Sequence, residues 1–263
     1  MSGVLPNTSA YLLVSHGSRD PRPQAAVEEL ATLVAQKVSL ESEWMQKKSD
    51  RSSLAAPPVA LSPLVGTAVL ELGEQPLHEQ IRQFSDRAHA SGLKHLQVLP
   101  LFLLPGVHVM EDIPEQVAIA SIALESKLTI EIRPHLGVHP GLSRLLATSL
   151  ASVNADASIL LSHGSRRVGG NQPVEAIAAT LGAVPAYWSV SPSLEERLED
   201  LVSAKYSHIG ILPYFLFTGG ITDAILTKVK LLSKQFPTSK LHLAEPIGAS
   251  AELADLIWDL RSK

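Results

Sequence analysis

The chain repeats itself, and the repeat limits its architecture more than any single residue does. Leu12-Leu13-Val14-Ser15-His16-Gly17-Ser18-Arg19 returns as Leu160-Leu161-Ser162-His163-Gly164-Ser165-Arg166. Leu99-Pro100-Leu101-Phe102-Leu103 returns as Leu212-Pro213-Tyr214-Phe215-Leu216, and Gly106 returns as Gly219. Near each end, Leu136-Gly137 with Leu142 and Leu145-Leu146 matches Ile247-Gly248 with Leu253 and Leu256-Ile257. The order is kept throughout, so two copies of one domain are expected, residues 1–152 and 153–263. Within each copy, short runs rich in Val, Ile and Leu alternate with longer segments of helical period, the pattern of βαβ units and a buried parallel sheet. Strands are expected at Tyr11–Ser15, Thr67–Leu72, His95–Leu103 and Leu128–Arg133 of the first copy. A helix follows Pro21 and Pro23, with Ala26, Leu30, Leu33 and Val34 on one face. Asn171 before Pro173 opens its counterpart. The first copy also carries an insertion at about 40–64, dense in Ser, Lys, Glu and Pro and read as a mobile surface loop. Lys47, Lys48 and Arg51 offer the competing reading of a lid that attracts an anionic substrate.

In an open parallel sheet, ligands bind beyond the carboxyl ends of the strands. There the first copy offers His16 after the first strand, Glu71 near the end of the second, and His108 past the Pro105-Gly106 turn. Two imidazoles and a carboxylate suit a borderline divalent cation such as iron or cobalt, and three ligands leave positions open for exchange. The sequence contains no cysteine, so thiolate metal sites, disulfides and a cysteine nucleophile are excluded. A repeated His-Gly-Ser turn with a satisfied imidazole is the competing reading of His16. Asp112-Ile113-Pro114-Glu115 fits a helix start with Asp112 as N-cap. In the second copy Tyr187-Trp188 stands at the place of Glu71 and Gly220-Ile221 at the place of His108, which leaves His163 without partners. His78, His89, His95, His208 and His242 are expected on solvated faces, whereas His135 and His139 flank Gly137 and are weaker candidates for the cleft.

Three motifs then carry a resemblance: Val14-Ser15-His16-Gly17-Ser18-Arg19, Val69-Leu70-Glu71-Leu72, and Leu103-Leu104-Pro105-Gly106-Val107-His108 through Asp112-Ile113-Pro114. In this order, and with the duplication, they resemble the sirohydrochlorin chelatases, the class II chelatases of sirohaem and cobalamin synthesis, in their long two-domain form. Val69 stands where that family usually has Phe, and the cysteine cluster of some members is absent. The resemblance implies two tandem chelatase-like α/β domains related by a pseudo-twofold axis, each a central parallel β-sheet flanked by helices, with a tetrapyrrole cleft between them. It implies His16, Glu71 and His108 as the metal-binding and catalytic residues of the N-terminal domain, beside a degenerate C-terminal site. A tetrapyrrole polycarboxylate needs cations at its rim, for which Arg19, Arg51, Arg166 and Arg167 are the candidates.

The expected activity is insertion of Fe2+ into sirohydrochlorin with release of two protons. Cobalt insertion is the near alternative, a non-catalytic metal or tetrapyrrole carrier the distant one, and phosphoryl transfer a third that gives Glu71 no role. The metal is a substrate, and no permanent cofactor is expected. A net charge of -4 with 22 Lys plus Arg gives no basic footprint for nucleic acid. No run approaches the roughly 20 apolar residues of a membrane span, and Met1 to Ala10 lacks the features of a signal peptide. A cytoplasmic monomer of two fused halves is the resulting expectation.

Overall fold

A seven-residue run, mostly apolar up to Val14 and polar from Ser15 on, builds strand β1 (Ser9–Ser15), whose side chains are almost wholly buried on both faces. This computed structural model describes residues 9–50, 64–124 and 127–261. The order continues α1 (Pro21–Asp50), β2 (Val65–Val69), α2 (Leu77–Ala90), β3 (His95–Pro100), a π-helical turn (His108–Asp112), α3 (Ile113–Ala123), β4 (Thr129–Ile132), a short 3-10 turn (Leu136–Val138) and α4 (Gly141–Ala151). Then come β5 (Ala157–Ser162), α5 (Gln172–Leu181), β6 (Val184–Tyr187), α6 (Leu194–Ser203), β7 (His208–Pro213), α7 (Gly220–Gln235), β8 (Lys240–Leu243) and α8 (Ala251–Leu260).

The strands form two separate four-stranded sheets, ordered β2-β1-β3-β4 and β6-β5-β7-β8. Every pairing is parallel. The doubled α/β fold is therefore as the sequence pattern indicates. Within the first sheet, alternation along β1 sends Ala10, Leu12 and Val14 to one face, where they join Ile81 and Phe84 of α2 and Ile113 and Val117 of α3. On the other face Tyr11 meets Trp258 of α8 edge-on, ring centroids 5.0 Å apart. The chain leaves β1 for one neighbour, β2, and returns to β3 on its other side. The gap between the carboxyl ends of β1 and β3 is thus the topological switch point, where such sheets bind ligands.

Compact units do not follow the sequence copies. One unit contains the described residues through His139 together with those from Ser250, and the other is Pro140–Ala249. Each copy's last helix serves the opposite unit: α4 packs on α5 and β7, whereas α8 packs on α1. The sequence repeat and the compact unit are two different partitions of one chain.

A correction concerns the insertion. Its first part, residues 40–50, continues α1 as helix, while residues 51–63, and with them Arg51, lie outside the described residues. The extension has a partner no local pattern shows. The Lys37 ammonium pairs with Asp255, the Glu41 carboxylate takes the indole N–H of Trp258 at 2.6 Å, and Arg261 donates to both Glu41 oxygens at 2.5 and 2.6 Å. The Arg261 guanidinium also lies 4.1 Å from the Trp258 ring. No helix of the described residues is long and apolar enough to cross a membrane.

Candidate metal-binding site

His16 is the first residue past β1, Glu71 stands two residues past β2, and His108 opens the π-helical turn that follows β3. Strand β2 ends at Val69 and β3 at Pro100, short of the expected limits, so all three residues sit on connections rather than in strands. One ligand atom from each lies within 4.8 Å of the others. The His16 Nε2 to Glu71 Oε2 separation is 3.8 Å, too long for a hydrogen bond and suited to two ligands of one ion. Two atoms held about 2.1 Å from a cation are at most about 4.2 Å apart, so closure on an ion asks for a contraction of roughly half an ångström. His16 and Glu71 have half-exposed side chains, free to make that movement.

Local chemistry holds the Glu71 segment against His16. The Leu70 amide donates to Ser15 O and the Glu71 amide to His16 O, each at 2.9 Å, which carries the ladder past the end of β2. On its outer edge, Gln80 of α2 closes the sheet: its amide oxygen accepts from Val69 N at 3.0 Å and its amide nitrogen donates to Val69 O at 2.9 Å. Gly17 adopts φ +100, and a Cβ there would stand 1.9 Å from Glu71 O. Only glycine tolerates both the left-handed backbone and that approach. Leu72, just after Glu71, has φ +59, a strained conformation for a large side chain, and strain of this kind clusters at functional sites.

The histidines are oriented by their Nδ1 atoms. His16 Nδ1 lies 3.3 Å from Gly17 O, and His108 Nδ1 lies 2.7 Å from Asp112 Oδ2. Asp112 is therefore not the N-cap that the Asp-Ile-Pro pattern suggests. Its backbone is already helical and its side chain makes no capping bond, because the π-helical turn carries helix back to His108 and leaves no free end at Asp112. Its partnership with His108 escapes the sequence, although the four-residue spacing is compatible with it. Phe102 stands beside both imidazoles, its ring centroid 6.5 Å from His16 and 6.1 Å from His108.

The remaining candidates fall elsewhere. Arg19 is exposed three residues past His16, and Arg166 and Arg167 are exposed beyond β5. His135 is buried, with Nδ1 2.9 Å from Phe102 O, and packs the 3-10 turn under the β3 connection instead of facing solvent. His139 is also buried, 3.8 Å from Asp259. His208 and His242 are not simply solvated, since their rings stack at 5.6 Å.

The second sheet corrects the internal comparison. Trp188 N donates to Ser162 O and Ser189 N to His163 O, the bonds that Leu70 and Glu71 make in the first sheet. Ser189 therefore occupies the Glu71 position, two residues later than Tyr187, because β6 carries its pairing through Tyr187 to Ser162. Nor is His163 without a partner. The Ser189 hydroxyl donates to His163 O at 2.8 Å and lies 3.3 Å from His163 Nδ1. By the matching bonds Leu101 N to Val14 O and Tyr214 N to Leu161 O, Ile221 takes the His108 position. Among the described residues, only the first constellation groups three metal-ligating side chains.

The CbiX family matches the sequence twice in tandem, over residues 10–153 and 157–261. The chain belongs to the CbiX family. Among its relatives, a sirohydrochlorin cobaltochelatase of Priestia megaterium is 26% identical over 94% of this chain and 77% of its own length. A sirohydrochlorin ferrochelatase of the same organism is 25% identical over 67% of this chain and 70% of its own. The fold of this CbiX-family chain is shared with SirB from Bacillus subtilis, solved with Fe3+, at a TM-score of 0.70 and 22% identity, covering 97% of this chain and 94% of that one.

Proposed function

We propose that this protein is a sirohydrochlorin chelatase that inserts Fe2+ into the macrocycle, and that His16, Glu71 and His108 are its metal-binding and catalytic residues. The observation that carries the reading is their convergence beyond three neighbouring strands, within 4.8 Å of one another, in a chain of the CbiX family. Two imidazoles and one carboxylate take the cation from water but leave coordination positions for the pyrrole nitrogens. Metallation removes two pyrrole protons as the dication enters, so the ring's charge balance closes without a redox step. Each of the three side chains is both a ligand and a base, so a group that releases the metal to the ring becomes able to accept a proton.

Arg19, Arg166 and Arg167 are proposed to bind the carboxylates of the tetrapyrrole, an assignment that rests on their exposure beyond β1 and β5. Cobalt is the second reading, favoured by the name of the relative that aligns over 94% of this chain. An optical assay with sirohydrochlorin and Fe(II), Co(II) or Ni(II) tests both. Multiple turnovers, fastest with iron, are expected. A higher kcat/KM with cobalt would move the assignment to the second reading, and binding of the macrocycle without metallation would reduce the protein to a carrier.

A further inference from the structure

Among the described residues, the carboxylate of Asp112 is paired with one side chain, that of His108. It lies at the end of the π-helical turn with φ -66 and ψ -49, continuous with α3, and it caps no amide. The Ile113 N–H bonds instead to His108 O, the five-residue bond of a π-turn. Such turns are frequent at functional sites. Within this turn Oδ2 of Asp112 and Nδ1 of His108 are 2.7 Å apart, the separation of a charge-assisted hydrogen bond.

An ionised carboxylate only accepts, so the hydrogen must be on Nδ1 of His108. A neutral imidazole held this way carries its lone pair on Nε2, the nitrogen on the far side of the ring from Asp112. His16 stands beside this ring, its centroid 4.8 Å away at an interplanar angle of 82°. Among the described residues His16 has no equivalent hydrogen-bonded carboxylate: its Nδ1 lies 3.3 Å from its neighbour's carbonyl, Gly17 O. The two imidazoles are therefore held differently, one by a carboxylate and one by a main-chain carbonyl.

Building on the chelatase reading, we propose that Asp112 is a positioning residue of the metal site: its carboxylate locks the Nδ1–H tautomer of His108 and aims Nε2 at the incoming cation. Carboxylate–histidine–metal arrangements of this kind orient the ring and raise its basicity, and loss of the carboxylate typically lowers metal affinity about 10–100-fold. The fixed His108 is then the anchor, and His16 the ligand that moves as the metal leaves for the ring. A surface ion pair that merely supports α3 would leave metal use untouched.

The test uses the full chain without tetrapyrrole. Co(II) is titrated and followed by its d–d absorption in the unsubstituted protein, Asp112→Ala, Asp112→Glu and His108→Ala, and the His108 tautomer in the metal-free protein is read from nitrogen-15 ring couplings. Asp112→Ala is expected to weaken Co(II) binding about 10–100-fold and to release His108 into a mixture of tautomers. Asp112→Glu should recover part of the affinity. In turnover, Asp112→Ala should raise the KM for metal more than it lowers kcat. Cobalt affinity within twofold of the unsubstituted chain, or an unchanged tautomer, would overturn the proposal while a weakened His108→Ala kept the metal site. Equal binding by His108→Ala would remove the metal site itself, and the role of Asp112 with it.

Discussion

The imidazoles of His16 and His108 meet edge to face, their centroids 4.8 Å apart, although 92 positions of sequence separate them and each hangs from a different connection. If both hold the cation and one also takes a pyrrole proton, removing either lowers the maximal rate as well as metal affinity. Saturating metal then fails to restore turnover. General-base assistance contributes about 10²–10⁴-fold, so His16→Ala and His108→Ala should each fall at least roughly tenfold at saturating iron, with tetrapyrrole affinity little changed. Steady-state rates against metal concentration check this. Full recovery at high metal would leave the histidines as delivery ligands alone.

Glu71→Gln keeps the volume of the side chain and removes its charge and basicity, so it should impair metal use while the melting temperature stays within a few degrees. Gly17→Ala attacks the same contact through the backbone. Its Cβ would collide with Glu71 O, and φ +100 is unsuited to alanine. Loss of Co(II) binding in Gly17→Ala with Glu71 intact is the expected result, and binding equal to the unsubstituted chain would show that the close approach does not set the site.

The second sheet supplies a contrasting case. Ser189 and Ile221 stand at the positions of Glu71 and His108, so a hydroxyl and an alkyl side chain replace a carboxylate and an imidazole there. His163→Ala should keep most of the chelatase rate and all of the Co(II) stoichiometry. A loss as deep as that of His16→Ala would relocate the chemistry.

Trp258 concentrates much of the hold of α8 on the first unit: its ring meets Tyr11, its N–H bonds to Glu41, and Arg261 stacks on it. Removing a large buried aromatic typically costs about 3–5 kcal/mol, so Trp258→Ala should lower the denaturation midpoint substantially. Truncation after Ala249 goes further, because it deletes the buried Leu253, Ala254, Ile257, Trp258 and Leu260 together. Such a chain should expose apolar surface and bind a hydrophobic dye, and a truncated protein with unaltered stability would contradict the packing.

Burial also marks the alkaline limit of the fold. It pushes the Tyr11 hydroxyl above the ordinary tyrosine range and that of Tyr214 well above it. A folded pKa raised above the unfolded value contributes stability that is complete below the unfolded pKa, about 10, and lost progressively above it. Denaturant midpoints should therefore decline from about pH 10 upward, and phenolate absorbance of the folded chain should lag behind that of the unfolded one. Simultaneous ionisation of all four tyrosines near the ordinary value, in a chain that remains folded, would rule this out.

The features readable from sequence were those with local causes. Continuous apolar runs ending in His16, near Glu71 and before His108 mark parallel strands and their ligand-binding ends, and the repeated His-Gly-Ser shows the duplication. What depends on distant partners was not readable. Helix α1 meets α8 through Glu41, whose partners Trp258 and Arg261 lie 217 and 220 positions away. Asp112 looked like a cap because Asp-Ile-Pro is a sound helix start, and only the π-turn before it shows otherwise. The equivalence of Ser189 with Glu71 is set by hydrogen-bond register, which motif spacing misjudges by one or two residues.

The reciprocal placing of α4 and α8 has a consequence for synthesis on the ribosome. The unit that carries His16, Glu71 and His108 takes its last helix from residues 251–260, so it cannot close until all of Pro140–Ala249 has been translated. At about 5–20 residues per second that is a wait on the order of ten seconds. Throughout it, the face of β1 bearing Tyr11 and the α1 surface around Glu41 emerge uncovered, and a nascent chain released early would carry the His16, Glu71 and His108 cluster on an unfinished core.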